Sequence, residues 1–375
     1  MTIDALGVIY TGANEYYMQE LTQSRSIAAL PIYARYRLID FFLSNFVNSD
    51  VHNVGVITQK NYRSIMDHIS GGREWDLNRK RDGLFILPPY GTAGNPGFYN
   101  GTVEALCGIR DYLEKSSQKY VIFSDSTVLY KADFRPMIEY HLSKKADITM
   151  MYWHADEEEF QSMHNPVVLD VARGGRIKGV AFNPANPEGP RVATGTFVAD
   201  KSLIIRLCDA ALSMGETRFI EGIIAKNLEG LRIYGYRHNG YVAALHSTRN
   251  YFKACMDVLD DKVRAELFLN DQMPVYTKVR DEIPTRYVGE GTAVNSSLAD
   301  GCIIGGNVEN SVLFRGVKIG KNAVVKNCII FQDCEIMDGC VLENVILDKD
   351  VIVRNGKTLM GAASYPVVIA KGSVI

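Results

Sequence analysis

Three short segments, Asn310-Ser-Val-Leu313, Asn327-Cys-Ile-Ile330 and Asn344-Val-Ile-Leu347, stand 17 residues apart. The same period relates Gly316-Val-Lys-Ile319, Asp333-Cys-Glu-Ile336 and Asp350-Val-Ile-Val353. Within a period, small or β-branched apolar residues recur at steps of six, six and five, traced by Cys328, Cys334, Cys340, Val345 and Val351. Burying one small side chain per step calls for a chain that coils with three flat sides, a triangular β-helix of hexapeptide-like rungs. Chance alternation in an ordinary sandwich is the competing reading, and three matched periods weigh against it. In this phase the cysteines are small core residues rather than metal ligands. Helical signal is almost absent from about residue 288 onward.

Residues 3 to about 250 have a different grammar. Short apolar runs at 6–10, 54–57, 84–87, 120–123 and 148–152 read as strands, and helical patterns fall near 38–47, 61–69, 103–114 and 134–143. Leu38, Phe41, Phe42 and Phe46 form the buried stripe of the first helix, and Thr102 is a candidate cap for the third. Such alternation predicts an α/β domain, a mostly parallel sheet with helices on both faces. Ligands of such sheets bind beyond the carboxyl ends of the strands, which gathers the Gly12 loop, the Gln59 region and Ser124–Thr127 around one crevice. The expected division is an α/β domain over 1–250, a helix and connector over 251–287, and the β-helix over 288–375.

Composition removes several classes of function. A net charge of -2 offers no basic footprint for nucleic acid, and no apolar run approaches the length that spans a bilayer. Seven cysteines without a C-x-x-C pair read as reduced thiols, so the expected location is cytoplasmic. The seven histidines show no metal spacing, and none follows His246, which counts against an acyltransferase with a histidine base in the coil. No P-loop, zinc-binding helix motif or nucleophile elbow is present.

The stretch Leu21–Asn45 carries Arg25 and Arg35 on a loop, then Tyr36-Arg-Leu-Ile-Asp40 and Leu43-Ser-Asn45. Together these resemble the signature of the ADP-glucose pyrophosphorylases, the glucose-1-phosphate adenylyltransferase family. The resemblance covers essentially the whole chain. It implies a Rossmann-like, GT-A-like nucleotidyltransferase domain followed by a left-handed parallel β-helix of hexapeptide-like repeats. It also implies a reaction in which a sugar phosphate attacks the α-phosphate of ATP, helped by a glycine-rich loop, several cations and Mg²⁺ on carboxylates.

The family pattern, laid over this sequence, departs at the charged positions. Gly12 survives in the glycine-rich loop, but Ala13 and Glu15 replace later glycines and Tyr17 replaces a phosphate-binding arginine. Ile27 stands for a lysine, Thr127 for a metal-binding aspartate, Asn183 for the lysine that holds the sugar phosphate, and Ala244 for the second metal-binding aspartate. Tyr90 falls on the adenine-side glutamine, and Asp125 lies two residues before Thr127. With Tyr17, Ile27, Thr127, Asn183 and Ala244 all uncharged, the expectation is no catalytic residues, no metal and no cofactor in this chain. Arg25, Arg37, Asp40, Gln59, Gly101, Thr102 and Gly195, with Gly12, match the family scaffold. Their bland reading is that they keep turns and helix contacts intact. Their sharper one is that Gly12, Arg25, Gln59, Gly101, Thr102 and Gly195 are the remnant of a substrate pocket.

The pattern is most similar to the regulatory, GlgD-type branch of the family. That similarity implies a hetero-oligomer with a catalytic GlgC-type subunit, Mg²⁺ in that partner, and a nucleotide or sugar-phosphate effector. An active adenylyltransferase with relocated ligands such as Asp125 and a sugar-phosphate sensor are the alternatives.

Overall fold

A computed structural model describes residues 3–12, 18–89, 97–185 and 187–375. Among the described residues, nine strands form the main sheet: β1 (Ala5–Tyr10), β2 (Asn53–Ile57), β3 (Gly83–Leu87), β4 (Tyr120–Asp125), β5 (Ile148–His154), β6 (Val167–Val171), β7 (Ile177–Phe182), β8 (Arg191–Asp200) and β9 (Ile233–Arg237). The order β3-β2-β1-β4 is parallel throughout. β8 then runs antiparallel to β4, and the β6–β7 hairpin joins it with one pair of residues in register. β5 pairs antiparallel with β8, and β9 pairs parallel with β5. The sheet is therefore parallel where it carries the crevice and mixed beyond, because the ten-residue β8 returns against β4.

Helix α1 (Leu38–Asn48) lies on this sheet through Leu38, Phe41, Phe42 and Phe46, all buried. A Cβ on Gly7 of β1 would come within 2.8 Å of the Phe46 ring, so glycine there sets how closely the helix approaches. Asp40 closes the first turn by accepting the Arg37 backbone N–H at 2.9 Å, and it also binds His68 at 2.6 Å. The pattern over 103–114 resolves into α2 (Thr102–Gly108) and a separate short helix, Arg110–Lys115. Gly101, not Thr102, occupies the capping position. A Cβ on Gly101 would lie 2.3 Å from the Thr217 carbonyl, so only glycine lets the two backbones meet.

The C-terminal region is a coil of three parallel sheets with five strands each, among the described residues. Lys318 sits beside Glu335 and Glu335 beside Ile352, which is the 17-residue period in three dimensions. An earlier turn is shorter, pairing Ile303 with Lys318, and the last is longer, pairing Val345 with Val367. Asn310, Asn327 and Asn344 turn one corner with φ of 45°, 50° and 53°. Gly316, Asp333 and Asp350 turn another at 71°, 61° and 61°. Asn, Asp and Gly recur there because other residues adopt left-handed backbone only at a cost. Cys328, Cys334, Cys340, Val345 and Val351 are fully buried along the axis.

The flank of the coil carrying Val312, Ile329 and Ile346 packs on the α/β domain in one continuous core with Ile27–Leu30, Tyr251, Phe314 and Phe331. Phe331 meets Phe314 and Tyr251 edge to face, at 5.1 and 6.4 Å between ring centres. No helix among the described residues is long and apolar enough to cross a membrane.

Candidate functional site: a crevice and a basic basin

The ends of β1, β2 and β4 open on one crevice. Gln59, just past β2, donates to the Tyr10 hydroxyl at 2.5 Å and to the Tyr99 carbonyl at 3.2 Å. Gly12 follows β1, and a Cβ there would come within 2.6 Å of the Gln59 amide. Gly195 lies where the register of β8 shifts, at φ 77°, and a Cβ on it would strike that of Asp125 at 2.6 Å. The glycines thus let neighbouring segments close around Asp125 and Gln59.

Asp125 accepts the Thr127 N–H at 3.0 Å. Burial pushes its carboxyl up to about 6, against the opposing pull of its bonds to Thr127. Thr127 and Ala244 come together on an antiparallel ribbon: Ala244 lies opposite Val128, and the Leu245 N–H donates to the Thr127 carbonyl at 2.8 Å. Positions 117 residues apart in sequence thus share one wall, as two ligands of one ion would have to. The side chains present are a threonine and an alanine beside a single carboxylate. This donor set does not fit Mg²⁺, which is held by carboxylate and other oxygen ligands in near-octahedral geometry. No group of three His, Cys, Asp or Glu residues able to hold a metal occurs among the described residues.

The remaining residues singled out from the sequence lie elsewhere. Arg25 does not form an exposed arm on the crevice. It is 3% exposed, donates to both carboxylate oxygens of Asp348 at 2.8 and 3.0 Å, and lies 5.9 Å from the Phe331 ring centre. It pins the α/β domain to the coil instead of reaching for phosphate. Ile27 is fully buried in the same interdomain core. Asn183 is exposed, at φ 48°, beyond the β6–β7 hairpin, with its N–H donating to the Pro166 carbonyl at 2.9 Å. Thr102 opens α2, beside the packed Gly101. Ala13, Glu15, Tyr17 and Tyr90 lie outside the described residues.

A second concavity, between the loop before α1 and the coil, is lined by Arg35, Arg37, Lys278, Arg280, Arg315 and Lys349, with His68 and Gln332. Arg37 is partly engaged, donating to the Ser64 carbonyl and hydroxyl at 2.5 and 2.9 Å. Lys278 donates to the Asp67 carbonyl at 2.6 Å. Arg315 is 8% exposed, and its Nε and Nη2 meet no hydrogen-bond partner among the described residues. Burial first, and the neighbouring guanidiniums with it, lower Lys349 to about 8 and Arg37 to about 10. Six cations are gathered here with two Arg315 donors unsatisfied, a concentration of positive charge of the kind that a multivalent anion neutralises. Arg35 and Arg37 stand out in the sequence, but Lys278, Arg280, Arg315 and Lys349 come from three distant segments that only the fold assembles.

A crevice at parallel strand ends, joined to a coil of hexapeptide turns, defines a class: nucleotidyltransferase-type domains carrying a β-helix. Residues 7–241 match the nucleotidyl transferase family, and residues 283–363 match the GlmU-like C-terminal hexapeptide family. The chain is 33% identical over 374 residues to the glycogen biosynthesis protein GlgD of Bacillus subtilis (strain 168), covering 98% of this chain and 96% of that protein. It is 37% identical over 320 residues to GlgD of Geobacillus stearothermophilus, covering 85% and 82%. It is 31% identical over 325 residues to the glucose-1-phosphate adenylyltransferase of the same organism, covering 86% and 83%. The chain therefore belongs to the glucose-1-phosphate adenylyltransferase family of nucleotidyl transferases, on the side of its GlgD members.

Proposed function

We propose that this chain is an accessory subunit in glycogen biosynthesis, without turnover of its own, which modulates a catalytic GlgC-type partner making ADP-glucose from ATP and glucose 1-phosphate. The observation that carries this reading is that Thr127 and Ala244 lie at neighbouring positions on the two sides of one ribbon, where two metal-holding carboxylates would be needed. Losing one charge-stabilising group costs a rate of roughly a hundred- to a thousandfold, and here both ion ligands are replaced. Mg²⁺ then belongs to the partner. The basic basin supports a regulatory role, with a nucleotide or sugar phosphate as effector. Negligible ADP-glucose formation by the isolated chain, and a changed rate when it is mixed with the catalytic partner, are the expected results. A partner equally active with and without this chain would overturn the proposal.

One observation favours a second reading, an active enzyme using Asp125. That carboxylate stands at the end of β4 with its proton affinity raised. Activity of the isolated chain that disappears in Asp125→Asn would establish it.

A further inference from the structure

Outside the crevice and the basin, two cysteines face each other across a helix pair. Cys107 lies near the end of α2, and Cys208 lies in α3 (Lys201–Ser213), on which α2 packs directly. Both line one small cavity with Leu106, Leu113 and Ile204, which places them as neighbours across the helix contact. Their surroundings differ. Cys208 is 2% exposed and belongs to the core, whereas Cys107 is half-buried at its margin. Arg110, one turn from Cys107, shares the site. The remaining cysteines do not repeat this arrangement. Cys302, Cys328, Cys334 and Cys340 are buried in the coil with their thiols on backbone carbonyls, and Cys255 is fully buried beside Tyr251.

We propose that Cys107 and Cys208 are a thiol pair oxidised by hydroperoxides to a disulfide that staples α2 to α3. The asymmetry of the pair assigns the roles. Interaction with Cys208 lowers the proton affinity of Cys107, while the same interaction and burial raise that of Cys208. Cys107 is therefore the thiolate that attacks. Its sulfur forms a bond to one peroxide oxygen as the O–O bond breaks, and the departing oxygen takes up a proton to leave as water or alcohol. Cys107 is then a sulfenic acid. The Cys208 sulfur attacks the Cys107 sulfur, the S–S bond forms, the S–O bond breaks, and the hydroxyl leaves as water with the proton of Cys208. Two electrons pass from the two thiols to one hydroperoxide, and a dithiol reductant reverses the exchange. α2 is capped by Gly101, wedged against the Thr217 carbonyl just beyond α3, so the staple fixes a segment whose start is already held at a backbone contact.

The test uses the full chain, treated with hydrogen peroxide near one equivalent, quenched with an alkylating reagent in denaturant, and mapped by mass spectrometry with and without a dithiol. A crosslinked pair of peptides containing Cys107 and Cys208, lost on reduction, is expected. In Cys208→Ser, Cys107 should accumulate as a sulfenic acid that a dimedone probe captures. In Cys107→Ser, Cys208 should remain alkylatable. Melting curves of both variants, matched to the parent, keep loss of the crosslink from being loss of fold. Full alkylation of both cysteines after peroxide, a crosslink to another cysteine, or equal dimedone capture at Cys107 with Cys208 intact would each overturn the proposal.

Discussion

The coil and the crevice belong to one chain but keep different things. In the coil, the left-handed corners carry Asn, Asp or Gly, and the axial positions from Cys328 to Val351 are fully buried. In the crevice the close contacts are kept, with Gly12 against Gln59 and Gly195 against Asp125, but Thr127 and Ala244 supply no charge. Packing is a distributed demand, because an unsuited side chain costs stability wherever it falls. Ion binding is a concentrated demand, resting on a few oxygens, and replacing them leaves the surrounding scaffold standing. A crevice can therefore lose its chemistry while its walls remain.

Four measurements bear on that contrast, in order of expected effect. Asp348→Ala removes one partner of the buried pair with Arg25 and should cost about 3–5 kcal/mol in denaturant unfolding, the signature of an uncompensated buried charge. A change below about 1 kcal/mol would mean that the pin between the lobes is dispensable. Asp125→Asn should act in the opposite sense. The carboxyl is raised from its unfolded value to about 6, so its neutral form suits the folded protein. The charged form therefore subtracts stability that is present below the unfolded value and lost as pH rises toward and past 6. The variant should gain up to about 2 kcal/mol at pH 8, shrinking toward nothing at pH 4, in stability measured against pH. A gain independent of pH would sever it from ionisation.

Asn327→Val forces a β-branched residue into left-handed backbone at a corner of the coil and should cost about 1–2 kcal/mol. The paired change Thr127→Asp with Ala244→Asp should leave the fold intact and create a response to Mg²⁺ where the parent has none. At ten times the dissociation constant the stabilisation is about 1.4 kcal/mol, read as a thermal shift with Mg²⁺ against Na⁺ at equal ionic strength. Failure of the double variant to respond would show that the walls, too, have moved.

The coil was the most legible part of the sequence because its information is local: corner residue, axial residue and strand all lie within one 17-residue turn. The strands under the crevice were legible for a similar reason, as apolar runs between amphipathic helices. β6, β7, β8 and β9 were not, since their burial alternates or is partial, and β8 and β9 find their partners far along the chain. Arg25 misleads for the same reason. Beside a crevice loop it reads as a phosphate ligand, but its partner lies 323 residues away. Arg315 and Lys349 lie within repeats where the outward positions look like solvent-facing surface, and nothing nearby in sequence marks them as one wall of a basin. Thr102 looked like a helix cap because the type is right, but Gly101 takes the position through a tertiary contact with Thr217.

The shared core between the coil and the sheet has a further consequence. Val312, Ile329 and Ile346 on one side, and Ile27 through Leu30 on the other, are each half of a single oily seam. Severing the chain at the connector would strand both halves in water, so neither lobe can be discarded without exposing the other. Whatever chemistry either lobe performs, each is obliged to keep its shape as the cover over the other's flank.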